Sequence, residues 1–149
     1  MKITKRLSIS GASEEAISGL ETKNGFTLPD DYRRFMSEFN GGHPEPSSFA
    51  FTTPNGKIDS SVRFFLTLDD QEENYTIQEF LDCYTDRIPV KLLPIACDSF
   101  GNLILLDGGA RSMGVVYFWD HERESMDEPT WDNIAIVAPS FTDFLNSLK

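Results

Sequence analysis

Apolar residues in this chain follow two periods, and the longest organised stretch lies between residues 92 and 122. Three short runs there, residues 93–97, 103–106 and 115–119, are rich in β-branched, leucine and aromatic side chains and are bounded by Gly and Asp. That is the pattern of strands. It predicts an antiparallel meander, with a turn at 98–102 and a longer Gly-containing connection at 107–114. A last short strand is predicted at 134–137. Before the meander, Phe49 to Thr53 and residues 58–68 flank Pro54-Asn55-Gly56-Lys57. Asn-Gly is a strong hairpin signal, so these become a strand and its return, with an irregularity at 59–61. A short edge strand is also expected within residues 3–9.

Helical spacing appears elsewhere. Residues 13–20 place Ala16, Ile17 and Leu20 on one face, with Ser13 as the cap and Glu14 and Glu15 near the positive end of the helix dipole. Tyr32, Phe35, Met36 and Phe39 fall at i, i+3, i+4 and i+7 in a second helix. Pro29 suits its first position, and Asn40-Gly41-Gly42 ends it. Thr76-Ile77-Gln78-Glu79 reads as a capping box opening a third helix, along which Ile77, Phe80, Leu81 and Tyr84 share a face. Ser140 caps a fourth, carrying Phe141, Phe144, Leu145 and Leu148. Helices at the N-terminus, middle and C-terminus around an antiparallel sheet of five or six strands define an α+β fold. The 149 residues are expected to form one domain. The twelve Phe residues suggest an aromatic core.

Charge narrows the function. Thirteen Lys and Arg against 24 Asp and Glu leave a net −11. Such a surface repels nucleic-acid backbones and favours encounter with a basic protein. Two acidic loops carry most of the candidate contacts: Asp69, Asp70, Glu72 and Glu73 in one, and Asp120, Glu122, Glu124, Asp127 and Glu128 in the other. Asp98 and Asp107 at strand ends are expected to complete a negative rim, with Trp119, and beside it Phe118 and Trp131, as aromatic anchors. Catalytic and metal readings are weaker. Asp120-His121-Glu122 at a strand end sends alternate side chains to opposite faces. Cys97 with His121 has no supporting signature, and His43 in a Gly-Pro loop is expected to be a plain loop residue. The Gly-rich segment 108–114 lacks a Gly-Lys-Ser/Thr ending and precedes a strand, so it is no phosphate cradle. Cys83 and Cys97 have no metal spacing and are expected as buried free thiols. With no apolar leader and no membrane-length run, the expectation is a cytoplasmic protein that needs no cofactor.

Three segments resemble the SUKH superfamily and, within it, the Smi/Knr-type cell-wall assembly regulator family. Leu28-Pro29-Asp30-Asp31-Tyr32-Arg33-Arg34-Phe35-Met36 running into Asn40-Gly41-Gly42 is similar to that family's L-P-x-D-Y helix and N-G-G end. Pro94-Ile95-Ala96-Cys97-Asp98-Ser99-Phe100-Gly101-Asn102 resembles its P-I-A-x-D strand-turn-strand. Ile136-Val137-Ala138-Pro139-Ser140-Phe141-Thr142-Asp143-Phe144-Leu145 resembles its closing helix. The resemblance implies an α+β fold without established chemistry. It also implies the role of bacterial members, which bind and neutralise a toxin domain, often a nuclease. The alternative it carries is a general interaction or regulatory module of the Smi/Knr type.

Overall fold

The computed structural model describes residues 1–4, 11–68 and 75–149. It contains four helices, α1 (Glu14–Asn24), α2 (Asp30–Glu38), α3 (Ile77–Tyr84) and α4 (Phe141–Ser147). A five-stranded antiparallel sheet runs in the order β5 (Phe64–Phe65), β6 (Leu92–Cys97), β7 (Leu103–Asp107), β8 (Val116–Trp119), β9 (Ile134–Ala138). Two small antiparallel pairs flank it: β1 (Lys2–Thr4) with β2 (His43–Glu45), and β3 (Ser48–Thr53) with β4 (Gly56–Ser61). The α+β architecture and the meander therefore match the sequence pattern.

Every residue of β6, β7 and β8 is buried. Cross-strand partners share a face, so the register defines two covered surfaces. Phe65, Ala96, Ile104, Phe118 and Ala135 form a row on one face. It is covered by α2, α4 and the β3–β4 hairpin through an aromatic cluster. Phe35 meets Phe65 at 4.9 Å and Phe141 at 5.1 Å between ring centroids, and Phe51 meets Phe118 at 4.7 Å. The row Phe64, Cys97, Leu103, Trp119 and Ile134 lies on the other face. Tyr75 and Tyr84 cover it, with ring contacts of 4.6 Å to Phe64 and 5.6 Å to Trp119.

Helix ends follow local chemistry. Ser13, Thr76 and Ser140 each accept an N–H from three residues on, at 3.1, 3.1 and 3.0 Å. Glu79 does not close the expected capping box; its Oε2 is buried without a partner among the described residues. Pro29 is the N-cap of α2 and not its first helical residue, and offers no side-chain cap. Asp31 instead reaches α4, where Oδ2 accepts the N–H and the hydroxyl of Thr142, both at 2.9 Å.

Several expectations are corrected. Residues 58–68 are not one strand. The β3–β4 register is unbroken through Ser48↔Ser61, and the chain then leaves the hairpin and enters the central sheet at Phe64. The cause is burial, since β4 is polar and largely exposed while Phe64, Phe65 and Leu66 are all inside. His43 belongs to β2, with Nδ1 2.7 Å from the carbonyl of Arg63. Cys97 is buried but Cys83 is exposed. The expected edge strand survives as Lys2–Thr4, and its continuation lies outside the described residues.

Gly41, at φ +87°, lets the end of α2 approach β5; a Cβ there would sit 2.8 Å from the carbonyl oxygens of Phe65 and Leu66. Gly19 lies inside α1, where an added Cβ would meet nothing within 4 Å. Gly41→Ala is therefore expected to cost at least about 2 kcal/mol, from left-handed strain plus the backbone clash. Gly19→Ala should stabilise by about 0.4–1 kcal/mol. Urea unfolding of both variants checks this; equal effects would contradict the close approach.

Candidate partner-binding surface

The acidic positions separate once the strands are placed. Asp98 and Asp107 are at opposite ends of β7, because Cys97 pairs with Leu103 while Leu92 pairs with Asp107. A five-residue strand spans roughly 17 Å, so the two carboxylates do not share a rim.

Both are also turned inward. Asp107 is 0% exposed. It accepts the N–H groups of Gly109 (2.8 Å), Ala110 (2.6 Å), Arg111 (3.1 Å) and Ser112 (2.9 Å), and the hydroxyl of Tyr117 (3.0 Å). Burial alone would raise its pKa, but the four backbone donors outweigh burial and hold it below the ordinary value. Tyr117 answers in the opposite sense, pushed up to about 12 by burial and then by this carboxylate. Trp131 stacks edge-on to Tyr117 at 5.3 Å, and the Arg111 guanidinium sits 3.7 Å over Trp131. The Gly-rich loop is thus wound around one carboxylate.

Asp98 organises the turn at the other end. It accepts the N–H of Phe100 (2.8 Å), the N–H and side-chain amide of Asn102 (2.9 and 2.8 Å), and the Ser60 hydroxyl (3.2 Å). Asn102 Oδ1 passes the link on, accepting the backbone N–H of His121 at 3.1 Å and lying 2.7 Å from its Nδ1. His121 begins a 3-10 turn, His121–Arg123, capped by Asp120, whose Oδ1 accepts the Glu122 N–H at 3.0 Å. Asp120-His121-Glu122 is therefore a turn and not the strand end expected. Among the described residues no group of three or more His, Cys, Asp or Glu could hold a metal ion.

Trp119 is 0% exposed, beneath Tyr84 and the guanidinium of Arg87 at 5.7 Å. It cannot serve as a surface anchor, because β8 is covered on both faces. Glu124 is committed as well: Arg87 donates to it twice, at 2.8 and 3.0 Å. That bond is the main influence holding Glu124 below the usual carboxylate range, and it raises Arg87 in turn. Asp69, Asp70, Glu72 and Glu73 lie outside the described residues.

Glu122, Asp127 and Glu128 are what the second acidic loop exposes, and they form no ion pair among the described residues. Arg87 is engaged by Glu124 and Arg111 by Trp131, while Arg123 of the same loop makes no ion pair among the described residues. Two apolar side chains missed by the sequence reading are exposed, one in this loop and one in the turn that follows β6. Met126 is 98% exposed, and Phe100, in the turn tied to His121, is 78% exposed. An aromatic at a turn tip flanked by Ser and Gly has nothing local to pack against, and that was the available signal. The result is an acidic loop with an exposed apolar side chain of its own, held from within by Glu124 and Trp131.

These features define an acidic α+β protein in which Asp98 and Asp107 hold loops from within while Glu122, Asp127 and Glu128 face solvent. The profile of the SMI1 / KNR4 family (SUKH-1) matches residues 11–147, and the chain belongs to that family. It is similar to the SPbeta prophage-derived uncharacterized protein YokK of Bacillus subtilis (strain 168). The two are 28% identical over 152 positions, covering 91% of this chain and 74% of the relative. Among the described residues no helix is long and apolar enough to cross a membrane.

Asp107→Asn is expected to destabilise by about 2–3 kcal/mol at pH 7, since an amide cannot accept four converging N–H groups. A depressed carboxylate contributes fully above about pH 4, and its contribution is lost as pH falls through the lower folded value. Urea unfolding between pH 7 and pH 2.5 should therefore show a shallower acid loss in the variant. Equal slopes would remove Asp107 from the acid response.

Proposed function

We propose that this protein is a non-catalytic immunity-type protein that neutralises a basic toxin domain, acting in the cytoplasm. The observation that carries the reading is the group Glu122, Asp127 and Glu128, exposed and in no ion pair among the described residues, on the same loop as exposed Met126 and held by Glu124 and Trp131. Charge of one sign beside exposed apolar side chains suits a basic protein surface: the carboxylates speed encounter and the apolar points hold it. The net charge of −11 adds long-range attraction for such a partner. Family membership and the prophage origin of the Bacillus subtilis relative support a role in conflict between cells or genetic elements. The carboxylates with the most elaborate bonding, Asp98 and Asp107, are occupied by backbone donors, which supports binding over turnover.

Affinity capture of the tagged protein from cells expressing candidate toxins should recover one basic domain in stoichiometric amount. Recovery of several envelope-synthesis proteins would favour the regulatory reading. The triple change Glu122→Lys, Asp127→Lys, Glu128→Lys should slow association with the captured toxin about tenfold or more at low salt. The melting temperature should stay within about 2 °C, as surface changes of this kind are worth about 0.5 kcal/mol or less. Unchanged association would exclude this loop as the interface.

A further inference from the structure

A cavity of about 230 Å³ opens between the tip of the β3–β4 hairpin and the start of β9. Its floor is apolar: Phe51 and Phe118 are buried beneath it, and Ile134 and Ala135 form one side. Asp120, Asp132 and Arg123 line the same cavity. Two carboxylates against one guanidinium leave it net negative, and Arg123 makes no ion pair among the described residues.

The walls are fixed before anything binds. Asp120 and Asn133 join the two ends of the acidic loop, with Asp120 N–H donating to the Asn133 carbonyl at 3.0 Å and the Asn133 amide donating to the Asp120 carbonyl at 2.9 Å. Across the opening, the hairpin turn is held by Thr53, whose hydroxyl donates to the Gly56 carbonyl at 3.0 Å and accepts the Asn55 N–H at 3.2 Å. Asp120 uses Oδ1 on the turn it caps, while Asp132 is exposed.

Size and chemistry select the occupant. Small-molecule pockets run to about 300–1,000 Å³, so this cavity suits one or two side chains and not a cofactor. An apolar floor beneath a carboxylate rim matches a side chain with a long methylene stem and a cationic head. The geometry points to a socket for an arginine or lysine side chain of a protein partner. The floor takes the stem, and Asp120 and Asp132 take the charge. This deepens the surface proposed above and rests on it for the partner being a basic protein. The socket belongs to the same loop as Glu122, Asp127 and Glu128, and would supply the anchoring contact that exposed charge alone does not.

The probe is a blocked Gly-Arg-Gly tripeptide, titrated against the isotopically labelled full chain by NMR, with the citrulline tripeptide as neutral isostere. The expected result is saturable shifts at amides of residues 51–55, 120–123 and 132–135, with citrulline at least severalfold weaker. Asp132→Asn should weaken the arginine peptide about two- to fivefold, the scale of an exposed ion pair. Ala135→Phe, which fills the cavity, should abolish the localised shifts; retained amide dispersion shows that this variant is folded. Shifts scattered over the acidic surface, or equal response to citrulline, would overturn the socket. The two proposals fail separately. A toxin domain that is weakened by charge reversal at Glu122, Asp127 and Glu128 while the tripeptide ignores the cavity refutes only the socket. A tripeptide that seats in the cavity while charge reversal leaves toxin binding intact refutes only the acidic-loop interface.

Discussion

A sheet whose central strands are buried on both faces sets the terms for everything else. Every position of β6, β7 and β8 is inside, so neither face can be left to water. Each buried methylene is worth about 0.8 kcal/mol, and the chain meets that demand differently on the two sides. One face is closed by helices and the hairpin, through edge-on and tilted aromatic contacts from Phe35, Phe51, Phe141 and Phe144. The other is covered in part by α3 and Tyr75, and the loop between β8 and β9 adds to that cover. Trp131 lies on Tyr117, and Glu124 ties Arg87 across Trp119. The loop that presents the acidic surface is therefore also part of the cover of the core.

The carboxylates divide between inward and outward duty as well. Asp98 and Asp107 stop strands at opposite ends, and each gathers the N–H groups of the turn that follows. A buried carboxylate needs several donors to remain charged, and a tight turn has several donors in need of an acceptor. Each solves the other's problem. Glu122, Asp127 and Glu128 have no such task and face solvent.

Much of the fold was legible because continuous apolar runs and helical stripes each admit few readings. The central strands, the Asn-Gly hairpin and the four helices follow directly. The joint after Ser61 was not legible, since β4 and β5 nearly abut in sequence and only burial separates polar Ser60 from Phe64. The site was less readable than the fold. An Asp after an apolar strand looks the same whether it caps its own turn or faces outward, and the difference rests on donors such as Ser112 and Tyr117. Trp119 was misplaced because aromatic character does not say which face of a strand is covered. Glu124 could not be assigned without Arg87, which is 37 positions away. Phe100 and Met126 passed unnoticed beside the charges around them.

The division of labour within the loop has a further consequence. Its inward residues, Glu124, Trp131 and Asn133, fix its path, while the side chains of Glu122, Met126, Asp127 and Glu128 make no hydrogen bond or ion pair among the described residues. Residues that hold the loop and residues that face solvent are thus interleaved in one short segment. The outward positions are expected to accept substitution at about 0.5 kcal/mol or less each, so the charge of this surface can vary while the loop keeps its path.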